Sequence, residues 1–557
     1  MPKKLAITIA GAVSLGSYEA GVLYEVLDAI AQHNEPMGSD DPNRIVIDVL
    51  TGASAGGMTA IMLAQKLLYG ADEFRGPYDN PLYNTWVKRI AMAGLQNTGN
   101  DEPALHSIFS SDLITAISKE TLMARYATDP PSPDGKQHPS VKDQVRVGVA
   151  LTNLNGVAYG YEVKPSGKFT YIDFGDQMTR EVVAARCDSA DFWEPLRQAA
   201  VAGGAFPFAF RTQDVLRSAN TEHDDYSSPN MEPWDRDPAM FTYSDGGILQ
   251  NQPLGMAKNL VDMNDKHLDQ GNRFYLFVSP HAKDPEANDT FHSANADYLR
   301  LLERLVDVIM GQSGFQDWIT AKGVNERIQR LDDRAEGLKK AILGGAIDVD
   351  CLATTVSSLL RLLFTDGQHL SPGAAEPETL AQAQERIAKQ YNDEMNALGV
   401  VPGAPEAFRD AVLAFETAAG LGGRDQMTIY EVTATSSELA GAGFLAFLGF
   451  FDQRFRDHDY DVGRTHARAL LTSPDLGKTG LDPIRYTPSE IHPIDSRLDG
   501  LKLINVPVAD LQAFKEGARK RLNQMLGELW GPYLSLAAIP GGDLILDSAL
   551  NHVIAKF

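Results

Sequence analysis

Gly52-Ala53-Ser54-Ala55-Gly56 is the segment whose residue types and spacing could do chemistry most directly. It fits the G-x-S-x-G pattern of a serine held at a tight strand-to-helix turn. Small neighbours are needed there because the turn is strained and other chain segments pass close by. The pattern alone is weak evidence, since composition supplies on the order of 0.2 chance matches in a chain of this length. The bland reading is a glycine-rich turn capping a helix. Context favours the reactive one. The apolar run Ile45–Leu50 leads into the motif, and a helical pattern around Met58–Ala64 leads out of it. Ser54 would then face the positive end of a helix, which favours a developing anion.

A serine hydroxyl is inert near neutral pH unless a neighbour takes its proton. Tyr243-Ser244-Asp245-Gly246-Gly247 offers a carboxylate in a glycine turn, followed by Asn251 and Pro253. Glycine after the aspartate permits close backbone approach, and a carboxylate bonded to the serine can act as base and then as acid. A third segment, Gly11-Ala12-Val13-Ser14-Leu15-Gly16, lies between a strand pattern and a helix pattern. Its backbone N–H groups can form a nest for an oxyanion, provided that its residues keep negative φ. It lacks the G-x-G-x-x-G spacing of a dinucleotide loop.

The competing arrangement is a Ser-Asp-His triad completed by His281 or His292. Position argues against it. Several strands normally precede the elbow in such hydrolases, whereas here one strand is visible before it and the glycine loop starts at Gly11. His281, in Ser279-Pro280-His281, therefore reads as structural.

The elements that must position these groups follow from periodicity. Leu5–Ile9, Ile45–Leu50, Val145–Thr152 and Phe274–Ser279 read as apolar strands. Leu23, Val26, Leu27 and Ile30 mark one helix face. Apolar strands alternating with helices predict an α/β fold around a mostly parallel sheet covered on both sides. Two divisions are expected: an α/β region over 1–285, with a surface excursion at 91–140, and a mainly helical region over 286–557 that packs on the first or completes it. Helices are expected at 298–309, 324–343 and 377–398, with strand-like pieces at 428–433 and 501–506.

Of the 557 residues, 43% are hydrophobic and 22% charged, which suits globular domains, and the net charge is -24. That excess opposes nucleic acid as a partner, because phosphate binding needs a basic surface. It equally opposes steady attachment to anionic membranes. The longest apolar run, 439–451, is too short for a membrane span of roughly 20 residues, and the N-terminal residues do not read as a signal peptide. Two cysteines cannot build a disulfide framework, which fits a reduced, cytoplasmic setting. Arg456-Asp457-His458-Asp459-Tyr460-Asp461-Val462-Gly463-Arg464 concentrates charge. It reads as an ion-paired loop in preference to a metal site, since the spacing matches no ligand pattern. No cofactor is expected.

Together the three segments resemble the patatin-like acyl hydrolases, which are related to the cytosolic phospholipases. The resemblance covers about 5–285 and includes the small-residue stretch Ala199–Ala205 with Phe206-Pro207. It implies a three-layer α/β/α fold and hydrolysis of lipid acyl esters through an acyl-enzyme. Ser54 would be the nucleophile and Asp245 its dyad partner. Gly52 and Gly56 would frame the elbow, and Gly11, Ala12 and Val13 would supply the oxyanion hole. Many relatives carry three glycines and a basic residue in that first loop, where this chain has Ala12, Val13 and Leu15. A fatty acyl ester is the expected substrate, with transient membrane-surface contact. The aromatic stretches Phe206–Phe210 and Gly443–Phe451 are candidates to line an acyl pocket. The alternatives are a soluble esterase or thioesterase with the same dyad, and a non-catalytic binding protein.

Overall fold

The computed structural model describes residues 2–530 apart from 99–101, 128–134, 164–166, 220–230, 233, 235–236, 266–271, 281–290, 296–297, 365–367, 370–377, 422–426, 475, 480 and 482–483. The chain divides into two compact units. The first comprises Met1–Ala257, Phe274–Gln316 and Ile429–Phe557, and the second Lys258–Arg273 and Asp317–Thr428.

The first unit is built on eight described strands: β1 Lys3–Ile9, β2 Ile45–Gly52, β3 Gln144–Val163, β4 Gly167–Val183, β5 Gln213–Arg217, β6 Ala239–Asp245, β7 Arg273–Ser279 and β8 Ile429–Thr433. Their order is β8-β7-β1-β2-β3-β6-β5, with β4 also paired to β3. The pairs β1/β2, β2/β3 and β7/β8 are parallel, and β3/β4, β3/β6 and β5/β6 are antiparallel. Every residue of β2 and β7 is buried, as expected of strands covered on both faces. With helices in layers around this largely parallel sheet, the architecture is the expected three-layer α/β/α.

Four helices matter for the early part of this unit: α1 Gly16–Asn34, α2 Ala55–Tyr69, α3 Ser111–Met123 and α4 Ala190–Gly203. A fifth, α5 Gln453–Leu471, comes from far along the chain and lies against α1. Their backbones nearly touch. A Cβ on Gly21 would lie 1.9 Å from the Tyr460 carbonyl oxygen, and one on Gly463 would lie 2.2 Å from that of Tyr18. Only glycine allows this approach.

Several local expectations are revised. The 91–140 segment is not confined to a surface excursion, because Phe109, Ile117 and Leu122 are buried in the main core. The strand-like run 501–506 holds a short 3-10 turn at Leu503–Asn505. Its buried apolar residues, Leu503 and Val506, are three apart, which suits a turn better than a pleat. The charged stretch 456–464 is not a loop but the body of α5. Among the described residues, no helix is long and apolar enough to cross a membrane.

The second unit is mainly helical, with a small antiparallel pair of strands, Gln368–His369 and Glu378–Thr379. Val349–Leu363, Leu380–Gln390, Asn392–Leu398 and Ala404–Ala418 join the later part of one long helix, Tyr298–Leu343. They share a core that includes Ile328, Leu331, Val356, Leu360, Ile387 and Phe408. Arg386, almost fully buried, donates to both Glu378 and Glu416, so its charge is doubly compensated.

Candidate active site

Register brings the candidate groups to one edge of the sheet. Gly52, the last residue of β2, pairs with Ile9 of β1 on one side and Val149 of β3 on the other. Two residues beyond Val149, Leu151 pairs with Asp245, the last residue of β6. The loops after β1, β2 and β6 therefore emerge within a few residues of each other.

Ser54 stands between β2 and α2 with φ 51° and ψ -126°. A non-glycine residue at positive φ is uncommon and marks stored backbone strain. The turn closes only because its flanks are bare. A Cβ on Gly52 would lie 2.2 Å from the Gly56 carbonyl oxygen, and one on Gly56 would lie 2.3 Å from that of Ala10.

The Ser54 hydroxyl donates to Asp245 Oδ2 at 2.6 Å. The other carboxylate oxygen, Oδ1, accepts the Gly247 N–H at 2.7 Å. The strand end is tied down as well. The Asp245 N–H donates to the Ala205 carbonyl at 3.0 Å, and the Thr152 hydroxyl donates to the Asp245 carbonyl at 2.8 Å. Among the described residues, no histidine is hydrogen-bonded to either Ser54 or Asp245. His292 is exposed, and His281 lies outside the described residues.

Asp245 is fully buried and Ser54 is 5% exposed. Burial pushes the Asp245 carboxyl up to about 7, against the opposing pull of the Ser54 hydroxyl and the Gly247 N–H. Desolvation disfavours the charged form, and the two donors only partly offset that. A carboxyl poised near neutrality suits a group that must take up and release a proton.

The loop after β1 departs from the expected geometry in two ways. Val13 has φ 51°, not the negative φ anticipated, and a β-branched residue is strained there. The Gly11 N–H donates to the Asn251 carbonyl at 3.1 Å, so it is engaged within the protein. Among the described residues, no protein acceptor takes the Ala12 or Val13 N–H. Gly11 has a steric role instead. A Cβ there would lie 2.0 Å from Asn251 Oδ1 and 3.1 Å from Ser54 Cβ.

The two aromatic stretches meet at Phe447. Its ring centroid lies 5.6 Å from those of Phe109 and Phe206, and 6.4 Å from that of Phe210. Phe206 follows Ala205, which anchors Asp245. Phe447 follows Ala446, whose carbonyl accepts the Ser14 N–H at 3.0 Å. Phe208, by contrast, is 63% exposed at φ 65°. Ser14 did not stand out in the sequence. The available signal was the glycine-rich 441–449 stretch, whose Gly449 leaves space for its hydroxyl.

The charged stretch resolves into pairs. His458 Nδ1 lies 3.1 Å from Asp459 and its Nε2 lies 3.0 Å from Asp499. Arg464 and Arg468 both reach the buried Glu25. Among the described residues, no cluster of three or more metal-ligating side chains occurs. Cys187 and Cys351 are unpaired.

The family model described as patatin-like phospholipase matches residues 7–258. Over 359 residues the chain is 23% identical to uncharacterized protein y4iI of Sinorhizobium fredii, covering 51% of this chain and 50% of that protein. Over 315 residues it is 24% identical to uncharacterized membrane protein Rv3479 of Mycobacterium tuberculosis, covering 50% of this chain and 27% of that protein. The chain thus spans half or less of the length of these relatives.

Proposed function

Because residues 7–258 match the family model described as patatin-like phospholipase, we propose that the protein is a serine hydrolase of lipid acyl esters working through a Ser54–Asp245 dyad. The observation that carries this reading is the 2.6 Å bond from the Ser54 hydroxyl to a buried carboxylate, at a strained turn opening a helix.

The chemistry runs in two halves. Asp245 takes the Ser54 proton as Oγ attacks the ester carbonyl carbon, and the Ala12 and Val13 amides receive the oxyanion. Asp245 then returns the proton to the leaving alkoxide, which leaves an acyl-enzyme on Ser54. In the second half a water loses its proton to Asp245 and attacks the acyl carbon. The fatty acid departs as Ser54 recovers its hydrogen. Preorganised donors aimed at the developing charge supply a large share of such rate enhancements.

A lipid substrate is supported by the aromatic cluster around Phe447, which flanks both the aspartate anchor and the oxyanion loop. An apolar acyl site with polar groups at the reacting end is what fatty esters require. A reduced, cytoplasmic location belongs to the same reading and rests on the two unpaired cysteines.

The test uses a short-chain and a long-chain p-nitrophenyl ester, with a fluorophosphonate probe for the nucleophile. Turnover that prefers the long ester, with Ser54 labelled and both lost in Ser54→Ala, supports the proposal. Preference for the short ester points to a soluble esterase. No turnover together with an unlabelled Ser54 points to a binding protein.

A further inference from the structure

Helix α5 carries Arg456 and Asp459 three positions apart, on one helical face. Each ties down one end of the strap 439–451. Asp459, fully buried, accepts the Ala440 N–H on Oδ1 at 2.7 Å and the Gly441 N–H on Oδ2 at 2.9 Å. Arg456, also buried, donates to the Gly449 carbonyl at 2.7 Å and to the Val87 carbonyl at 2.8 Å.

Between these anchors the backbone turns left-handed at three consecutive residues, none of them glycine: Phe444 at φ 55°, Leu445 at 53° and Ala446 at 62°. Such residues are strained, because Cβ is pressed against the following carbonyl oxygen. A run of them persists only where its surroundings hold it. The turn delivers the Ala446 carbonyl to Ser14, where it accepts both the backbone N–H and the hydroxyl. The same hydroxyl oxygen accepts the Gly449 N–H at 3.1 Å. Ser14 directly follows Val13, itself held at φ 51°.

We propose that Ser14, Arg456 and Asp459 are positioning residues for the oxyanion-binding amides of Ala12 and Val13, so that the strap and α5 belong to the catalytic machinery. This rests on the reading of Ser54 as nucleophile. The side chains never touch substrate. They act by fixing the strained loop, since donors of this kind must stay within about 0.5 Å of their working position. Losing one such donor outright costs about 10²–10³ in kcat, and loosening the loop costs less.

Asp459→Asn keeps the side-chain volume but turns one acceptor into a donor facing an N–H group. Its kcat on a p-nitrophenyl ester is expected to fall about 10- to 100-fold, with KM within about threefold. The rate at which a fluorophosphonate labels Ser54 should fall in parallel. Ser14→Ala, a small change in a buried site, should fall about 3- to 10-fold by both readouts. Assays are run well below the melting temperature of each variant. A merely structural role would lower that temperature and leave kcat and labelling unchanged. If Asp459→Asn does not fold, Ser14→Ala decides alone. Retention of both rates within twofold overturns the positioning role while Ser54→Ala remains dead. If Ser54→Ala still turns over ester, or wild-type Ser54 is not labelled, the nucleophile reading itself falls and this one with it.

Discussion

Ser54 and Asp245 are 191 positions apart in the chain and 2.6 Å apart in space, joined hydroxyl to carboxylate. At that distance no imidazole stands between them, so the proposed reaction has a direct route from the serine hydroxyl to the carboxylate.

Asp245→Asn should reduce kcat by about 10³-fold or more on either ester, because an amide cannot accept the serine proton. The Gly247 N–H can still be accepted by the amide oxygen, so the variant should fold. Circular dichroism beside steady-state kinetics checks both statements. Activity within tenfold of wild type would place the base elsewhere.

The same carboxyl predicts how activity varies with pH. With its folded value near 7, kcat/KM should rise from pH 6 to pH 8 as the base ionises. A profile flat down to pH 5 would contradict the assignment.

Stability should move the other way. A carboxyl raised from 3.8 to about 7 on folding holds its proton more tightly in the folded state. Its contribution to folding is complete below about pH 4 and is lost as pH climbs toward 7. The loss is on the order of 4 kcal/mol. Asp245→Asn should therefore unfold at higher denaturant than wild type at pH 8, with the advantage disappearing near pH 4. Chemical denaturation at the two pH values measures it.

Gly11→Ala tests the crowding beside the nucleophile. Its methyl would meet Asn251 Oδ1 and Ser54 Cβ, and relieving that contact must displace the loop or the serine. An activity loss of more than 10-fold is expected, with a stability cost of about 1–3 kcal/mol. Wild-type kinetics in this variant would show that the site has slack.

Phe447→Leu addresses the acyl end. Phe447 is 4% exposed, and the smaller side chain should cost about 1–2 kcal/mol in stability. The ratio of kcat/KM for long over short p-nitrophenyl esters should change at least threefold. An unchanged ratio would assign the cluster to packing alone.

Much of this site could be read from the chain because each part is a local pattern. An apolar strand, then small residues, then a helix pattern describes both Gly11–Gly16 and Gly52–Gly56, and the glycines after Asp245 mark a close approach. What escaped was non-local. That the Gly11 N–H would turn to Asn251 depends on a loop 240 positions later. That Val13 would adopt positive φ depends on neighbours the sequence does not bring together. The long helix Tyr298–Leu343 read as two pieces because Gly311, Gly314 and Gly323 interrupt its apolar pattern without ending it. Strand β8 was legible as a strand, but its seat beside β7 at the sheet edge was not.

The reach from Ser14 to Ala446, 432 positions, has a consequence in time. A ribosome adding about 5–20 residues per second needs on the order of 20–90 s to travel between them. Throughout that interval the loop beside Ser54 has been synthesised and the backbone meant to brace it has not. On the proposed reading, a chain still in synthesis should be unable to form an acyl-enzyme until the residues around Ala446 have been added, a built-in delay between the making of the nucleophile and its arming.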